Sequence, residues 1–420
     1  MINLCEQYDG SKEISGVLPD FKIELLFKKK RNSEICLNII PELENIGFYK
    51  IKSFYFVGVD WIHENIPIYV EPKLNEGSAQ TDYLSMLFSS LNHPAIVKYT
   101  DELFEIKFDK PEIEIEQQQD KLTPLLVILF LKLVQEIVRK GLKKSYYRVE
   151  NNLNSRVKGK ILVSRTIKEN ILKNRMLKTY CSYDEFGYNG FENRFIKKAL
   201  LFVKRYIPKL KAFKAEKFVE PILNYINPAF ENVSDEINLN DVKHTKKNVF
   251  YKEYEEAIRL AKLILKRFGY NITNAENQII KTPPFWIDMS KLFELYVLGL
   301  LKDRFENKVT YHYSTKRNEL DYLLNTESLQ MVIDAKYKPK YLGDLDTDDM
   351  RQVSGYARLK SVYKELKKDE NEIIDCLIIY PDQENGNDNL IEVDLDGDEI
   401  KGYVRIYKVG VKLPIINYLM

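Results

Sequence analysis

The chain is poor in the residues that small secreted or zinc-dependent proteins rely on. Four cysteines (Cys5, Cys36, Cys181 and Cys376) and four histidines are scattered through 420 residues without paired spacing. A disulfide framework, a zinc site and histidine-based metal chemistry are therefore not expected, and a reducing cytoplasm suits the thiols. No basic start followed by an apolar run occupies Met1–Gly10, so no secretory signal is expected. The longest greasy run, Leu125–Val134, is broken by Lys132 and too short for a bilayer, which predicts a buried helix and no membrane partner. A phosphate-binding Gly-x-x-x-x-Gly-Lys-[Ser/Thr] loop is missing as well, because Gly159-Lys160 is followed by Ile161. The chain is not expected to bind a nucleotide itself.

What is present is the composition of a folded multidomain protein, 45% hydrophobic and 30% charged, with length for roughly two to four domains. The net charge of +2 conceals a strong asymmetry. Residues 1–120 carry 12 Lys/Arg against 21 Asp/Glu, residues 121–280 carry 32 against 16, and residues 281–420 carry 20 against 25. So basic a middle segment is a candidate surface for a polyanion, and equally a solvated lysine-rich helical surface.

The pattern predicts a multidomain α+β protein with boundaries near residues 120 and 280. The segment 1–120 reads as β-rich, with alternation over Phe21–Phe27, Ile35–Ile40, Lys50–Val57 and Ile66–Val70. A helix is expected at Tyr83–Leu91, ended by Asn92-His93-Pro94, and a longer one from Pro124 to near Gly141. The segment 121–280 reads as mainly helical, notably Phe191–Tyr206 and Tyr251–Phe268. Lys281-Thr-Pro-Pro284 reads as a linker, and 281–420 as an α/β domain.

That last domain holds the chemistry. Leu329–Lys338 reads as a strand, so Asp334 and Lys336 share one face. Glu319–Leu324 reads as its neighbour, with Asn325–Ser328 as the turn, a hairpin able to bring Asp321 beside Asp334. Two carboxylates suit a hard divalent cation, Mg²⁺ or Mn²⁺, which neutralises charge on a phosphate and activates water. A lysine beside them can orient that water or stabilise the transition state. Helix Asp288–Phe305, with Asp288 as N-cap, carries Glu294 in apolar surroundings as a further candidate ligand, and Gln352 and Tyr356 share one helix face downstream. Singly these are surface ion pairs and polar helix faces. Their order, Glu, Asp, Asp-x-Lys, Gln-x-x-x-Tyr, resembles the PD-(D/E)xK nuclease superfamily. Leu320 stands where a proline is usual, which leaves Glu319 and Asp321 both open as first ligand, with Asp321 favoured.

Further motifs resemble the McrC family, the nuclease subunits of McrBC-type modification-dependent restriction systems. They are Val57-Gly-Val-Asp60, Ile66-Pro-Ile-Tyr-Val-Glu-Pro-Lys73, Arg156-Val-Lys-Gly-Lys-Ile161, Tyr183-Asp-Glu185, Glu192-Asn-Arg194 with Lys197, Asp288-Met289 with Leu292-Phe-Glu294, and Ile333-Asp-Ala-Lys-Tyr-Lys338. The resemblance implies a C-terminal PD-(D/E)xK endonuclease domain with Asp321, Asp334, Lys336, Glu294 and Gln352 as catalytic residues. Asp321, Asp334, the Ala335 carbonyl and Glu294 would hold the metal. It also implies that residues 1–120 dock on an McrB-like AAA+ GTPase hexamer, whose hydrolysis the chain stimulates, and that the substrate is double-stranded DNA carrying modified cytosine. Arg156, Lys158, Lys160 and Tyr356 are candidate DNA contacts, although for the first three the capping and solvating of a turn is the favoured reading. Asn193 and Arg194 are expected to order the middle segment. An autonomous repair or recombination nuclease and a non-catalytic regulator of an AAA+ motor are the competing readings.

Overall fold

The computed structural model describes residues 1–14, 24–29, 33–42, 47–63, 66–72, 80–116, 119–207, 216–237, 252–271, 279–314, 319–338, 347–397 and 399–416. Its contacts define two compact units, Met1–Leu125 together with Thr273–Met420, and Leu126–Ile272. The first and third segments of the sequence thus share one unit. The reason is a strand contributed across the chain: Phe285–Asp288 lies between Phe56–His63 and Phe104–Ile106, antiparallel to both. Ile66–Glu71 and Ile2–Cys5 complete this five-stranded sheet.

Several local signals explain the strands. In Phe48–Ser53 the burial alternates strictly, with Tyr49, Ile51 and Ser53 inward. The stretch expected as one strand from Lys50 to Val57 is two, parted at Phe54-Tyr55. Phe48–Ser53 joins a four-stranded antiparallel sheet with Asp9–Glu13, Ile35–Pro41 and Leu25–Lys28, and Phe56–His63 joins the five-stranded one. Leu37, Ile39, Ile51, Ile68 and Trp286 meet in the core formed by these strands. Residues 21–23 of the expected first strand, Lys73 of the Pro-Lys motif and Tyr251 lie outside the described residues.

Trp286 is the anchor of the inserted strand. It is fully buried, and sequestering so large a ring is worth roughly 4–6 kcal/mol. Its indole N–H donates to Asp60 Oδ2 at 3.1 Å. Asp60 is completely buried, and the Lys107 and Lys110 ammoniums reach its two oxygens at 2.6 and 2.9 Å. A buried carboxylate is tolerable because it is paired and hydrogen-bonded in this way. Lys281-Thr-Pro-Pro284 is not a free linker, since Ile279–Thr282 pairs antiparallel with Ile113–Glu116. A four-residue strand ending at two prolines leaves too short an alternation to be read.

Helix Met289–Phe305 starts where the inserted strand ends. Asp288 caps it, accepting from the Lys291 N–H at 2.9 Å, and its other oxygen pairs with the buried Lys29 at 3.1 Å. The helix is apolar on nearly every side because it is buried on nearly every side. Beyond it lies a second five-stranded sheet, in the order Val309–Ser314, Glu319–Asn325, Gln330–Ala335, Asp375–Pro381, Ile406–Val411. The first three strands are antiparallel and the last two join in parallel. Helices Thr347–Ala357 and Lys360–Leu366 pack on Leu320, Leu323 and Val332 of this sheet through Met350, Val353 and Val362.

The unit Leu126–Ile272 carries a sheet beside its helices. A three-stranded antiparallel sheet, ordered Ser145–Asn154, Lys178–Gly187, Lys160–Ile161, precedes helices Phe191–Tyr206, Glu216–Ile226 and Lys252–Asn271. Ser145–Asn154 buries only Leu153, so no apolar alternation marks it as a strand. Asn193 ties the unit together. Its amide donates to the Lys143 and Tyr188 carbonyls at 2.9 and 2.6 Å and accepts from the Tyr254 hydroxyl at 2.8 Å. Among the described residues no helix is long and apolar enough to cross a membrane.

Gly58 sets a sharp test of the strand insertion. A Cβ there would lie 2.0 Å from the Phe285 carbonyl oxygen, which is backbone and cannot swing away. Gly58→Ala is expected to cost about 3 kcal/mol or more in urea unfolding, the upper end for overpacking. Gly355→Ala, on an exposed helix position with nothing within 4 Å, is expected to stabilise by up to about 1 kcal/mol.

Candidate active site

The hairpin of the second sheet brings the two aspartates together. Tyr322 pairs with Ile333, and one further step in that register places Asp321 opposite Asp334. Asp321 Oδ2 accepts the Ala335 backbone N–H at 2.9 Å, which fixes the carboxylate across the strand gap. Glu319 turns elsewhere, towards Ser314 Oγ at 2.8 Å and His312 Nδ1 at 2.9 Å. Of the two acids left open by the sequence, Asp321 is therefore the one beside Asp334.

Electrostatics make the pair unusual. Burial, then repulsion from Asp334 and Glu294, holds the Asp321 carboxyl well above the ordinary carboxylate range. Burial also raises Asp334, with Asp349 and Glu294 adding to it and Lys336 opposing. Two like charges in one dry site cannot both be comfortable without a cation. Asp334 Oδ2 lies 2.9 Å from Lys336 Nζ, and among the described residues no other donor reaches this buried oxygen. Asp321, Asp334 and the Ala335 carbonyl fit a Mg²⁺-type ion, which usually takes one or two carboxylates and leaves its other positions to water and phosphate. Among the described residues no group of three or more His, Cys, Asp or Glu side chains could hold a metal, so Glu294 does not complete an all-protein cage.

Lys336 is the hub of the remaining contacts. Burial lowers its proton affinity, but Asp334 chiefly, with Asp321 and Asp349, more than reverses that. Its ammonium donates to Gln352 Oε1 at 2.7 Å, and Gln352 Nε2 donates to the Tyr356 hydroxyl at 2.9 Å. The expected helix face is thus joined directly to the Asp-x-Lys strand. Asp349 escaped the sequence reading. It is buried, sits 3.8 Å from Lys336 and 2.6 Å from Lys338, and precedes Gln352 by three on the same helix. That spacing was the available signal.

Glu294 belongs to a neighbouring cluster. Its Oε2 accepts from Tyr311 OH at 3.0 Å and Lys291 Nζ at 3.2 Å, with His312 Nε2 at 3.5 Å. Burial would raise this carboxyl, but His312, Lys291 and Tyr311 together bring it below its ordinary range. Tyr322 OH fixes the Glu294 backbone carbonyl at 2.6 Å. Arg156, Lys158 and Lys160 belong to the other unit. There Gly159 has φ +69°, and a Cβ on it would meet the Ser182 carbonyl at 2.5 Å. Lys158 reaches Glu185 at 3.1 Å and lies 4.0 Å over the Tyr183 ring, which joins two of the sequence motifs, while Arg156 and Lys160 are exposed.

Fold and site define a mixed α/β multidomain protein whose second sheet brings a buried carboxylate, Asp334, and a half-buried one, Asp321, together with a lysine. The family model described as McrBC 5-methylcytosine restriction system component matches residues 51–381. The chain belongs to that family. Two solved structures from Thermococcus gammatolerans are remotely similar. One, a refined half-complex from a tetradecameric assembly of McrB AAA+ hexamers with bound McrC, is 16% identical, with 98% of this chain and 94% of that chain covered and a TM-score of 0.41. The other, a cryo-EM structure of the McrBC complex, is 16% identical over 71% and 86% of the two chains, with a TM-score of 0.31. No curated relative matches the chain.

Removing one of two crowded like charges should relieve the site. Metal-free Asp321→Asn, whose amide oxygen can still accept from Ala335, is expected to be more stable than the natural chain by about 1–2 kcal/mol. Thermal unfolding checks this. Added Mg²⁺ is expected to raise the midpoint of the natural chain and leave that of Asp321→Asn where it was.

Proposed function

We propose that this chain is the DNA endonuclease subunit of an McrBC-type restriction complex, and that its second sheet is a PD-(D/E)xK nuclease domain. The observation that carries the reading is the meeting of Asp321, Asp334 and Lys336 across two adjacent strands, with Gln352 bonded to the lysine. Asp321 and Asp334, with the Ala335 carbonyl, would hold Mg²⁺, for which Mn²⁺ could substitute. Such an ion would supply charge neutralisation at the phosphodiester and a lowered pKa for the attacking water. Lys336 carries a positive charge to the same place. It orients the water or donates to a phosphate oxygen, and its charge matters most where burial has excluded solvent. Gln352 accepts from Lys336 and keeps the ammonium aimed, while Tyr356 holds Gln352 and faces the DNA. Glu294 adds negative charge next to Asp321 and Asp334 and reinforces their demand for a cation.

Family membership supports the substrate, DNA containing methylcytosine, and a place within a multi-component system. The partner in this reading is an McrB-like AAA+ GTPase hexamer. It recognises the modified base and drives translocation, and its hydrolysis is stimulated by this chain. The absence of a phosphate-binding loop in the sequence agrees with a division of labour in which the motor lies on another chain.

Cleavage of methylated and unmethylated plasmid with Mg²⁺, by the chain alone and with the GTPase and GTP, tests the reading. Cleavage is expected only with partner, GTP and methylation together. Asp334→Ala is expected to abolish cleavage and leave partner binding and GTPase stimulation intact. Lys336→Ala is expected to slow it about 10²–10³-fold. Nicking by the chain alone, indifferent to GTP, would point to an autonomous nuclease, and joint loss of all three properties in Asp334→Ala would point to a structural role.

A further inference from the structure

Strand pairing lapses beside Asp321. Along Val309–Ser314 and Glu319–Asn325 the paired residues run Tyr311 with Tyr322 and then Tyr313 with Leu320, skipping His312 and Asp321. On its other side, pairing with Gln330–Ala335 begins only at Tyr322. The residue across that gap, His312, has φ +52°, a left-handed conformation that costs a residue with a Cβ about 1–2 kcal/mol. Such strain persists only where its surroundings impose it, and it gathers at functional sites.

The ring is held from three sides. It stacks on Tyr311, with centroids 3.9 Å apart. Nε2 lies 2.8 Å from Lys291 Nζ, and Nδ1 lies 2.9 Å from Glu319 Oε1. A carboxylate has only acceptors, so Nδ1–H donates to Glu319. Nε2 faces Lys291 and, at 3.5 Å, Glu294 Oε2 as well. Lys291 also donates to Glu294 Oε2 at 3.2 Å. Glu319, His312, Lys291 and Glu294 form one polar chain from the strand that carries Asp321, through the edge strand, to the helix that carries Glu294.

We propose that His312 is a positioning residue of the nuclease site: its ring, bonded to Glu319, holds Lys291 against Glu294 and fixes the helix of Glu294 to the strand of Asp321 at the gap in the sheet. This inference rests on the nuclease reading. It assigns His312 no contact with DNA, metal or water, and its work is to keep the carboxylates in register. Displacement of a reacting group by an ångström can cost about 10²-fold in rate, which gives such a lock its value.

His312→Gly separates the ring from the backbone, because glycine adopts positive φ freely. In the complete complex with GTPase, GTP, Mg²⁺ and methylated DNA, this variant is expected to cleave about 10- to 100-fold more slowly. Half-saturating DNA should stay unchanged, the unfolding midpoint should be equal or higher, and added imidazole should restore part of the rate. A rate equal to the natural chain's overturns the proposal. So does a slower rate accompanied by a lower unfolding midpoint, because the ring would then merely support the fold. Cleavage by neither protein overturns the nuclease reading and this inference with it. A readout independent of activity is the ¹⁵N spectrum of the four histidine rings, with His312 identified by its loss in His312→Gly. A proton on Nδ1 is expected, and an Nδ1 without one would contradict the hydrogen bond to Glu319 from which the role follows.

Discussion

Two carboxylates, the half-buried Asp321 and the buried Asp334, occupy facing positions on adjacent strands, and their mutual repulsion governs what surrounds them. Like charges confined in low dielectric must share a proton, attract a cation or unfold the segment that holds them. The surrounding groups answer with partial compensation. Lys336 supplies one positive charge and the Ala335 N–H one hydrogen bond. Asp349 takes part of Lys336 and Lys338 for itself, so the positive charge does not overwhelm the pair. What remains is a deficit suited to a divalent cation, next to a lysine that Gln352 keeps pointed at it.

The rest of the unit serves to hold that arrangement still. Phe285–Asp288 reaches into the sheet of the first hundred residues, where Trp286 fills the core and bonds the buried Asp60. At the strand's end Asp288 starts the helix of Glu294 and closes on Lys29. The Asp-x-Lys strand is tethered too. Tyr337, next after Lys336, is buried and donates to the equally buried Glu6 at 2.9 Å. Residues from the two ends of the sequence therefore fix one another through buried polar contacts, and such contacts are costly to break because each partner would be left unpaired.

The sequence carried much of this in plain form. The hairpin around Asn325–Ser328, the Asp288 cap and the helix face of Gln352 and Tyr356 follow from local chemistry: β-branched strands, turn residues, a capping carboxylate and four-residue spacing. The shared unit of 1–125 and 273–420 was hidden because Phe285–Asp288 is three apolar residues and an aspartate behind two prolines, and its partner strands lie more than 175 residues away. The sheet of the basic unit was hidden because Ser145–Asn154 leaves both faces largely open, so the hydrophobic period of two never appears. At the site, Asp321, Asp334 and Lys336 were legible as types at a spacing. Asp349 and His312 were not, since one depends on a helix laid over the sheet and the other on a left-handed residue within a strand.

In the proposed function Asp321 and Asp334 share a divalent cation. Anomalous diffraction from crystals grown with Mn²⁺ tests it without recourse to activity. One strong peak is expected at ligand distance, about 2.0–2.3 Å, from a carboxylate oxygen of each aspartate and from the Ala335 carbonyl. A map with no peak between the two aspartates, or with the ion seated instead on Glu294 and Glu319, would contradict it.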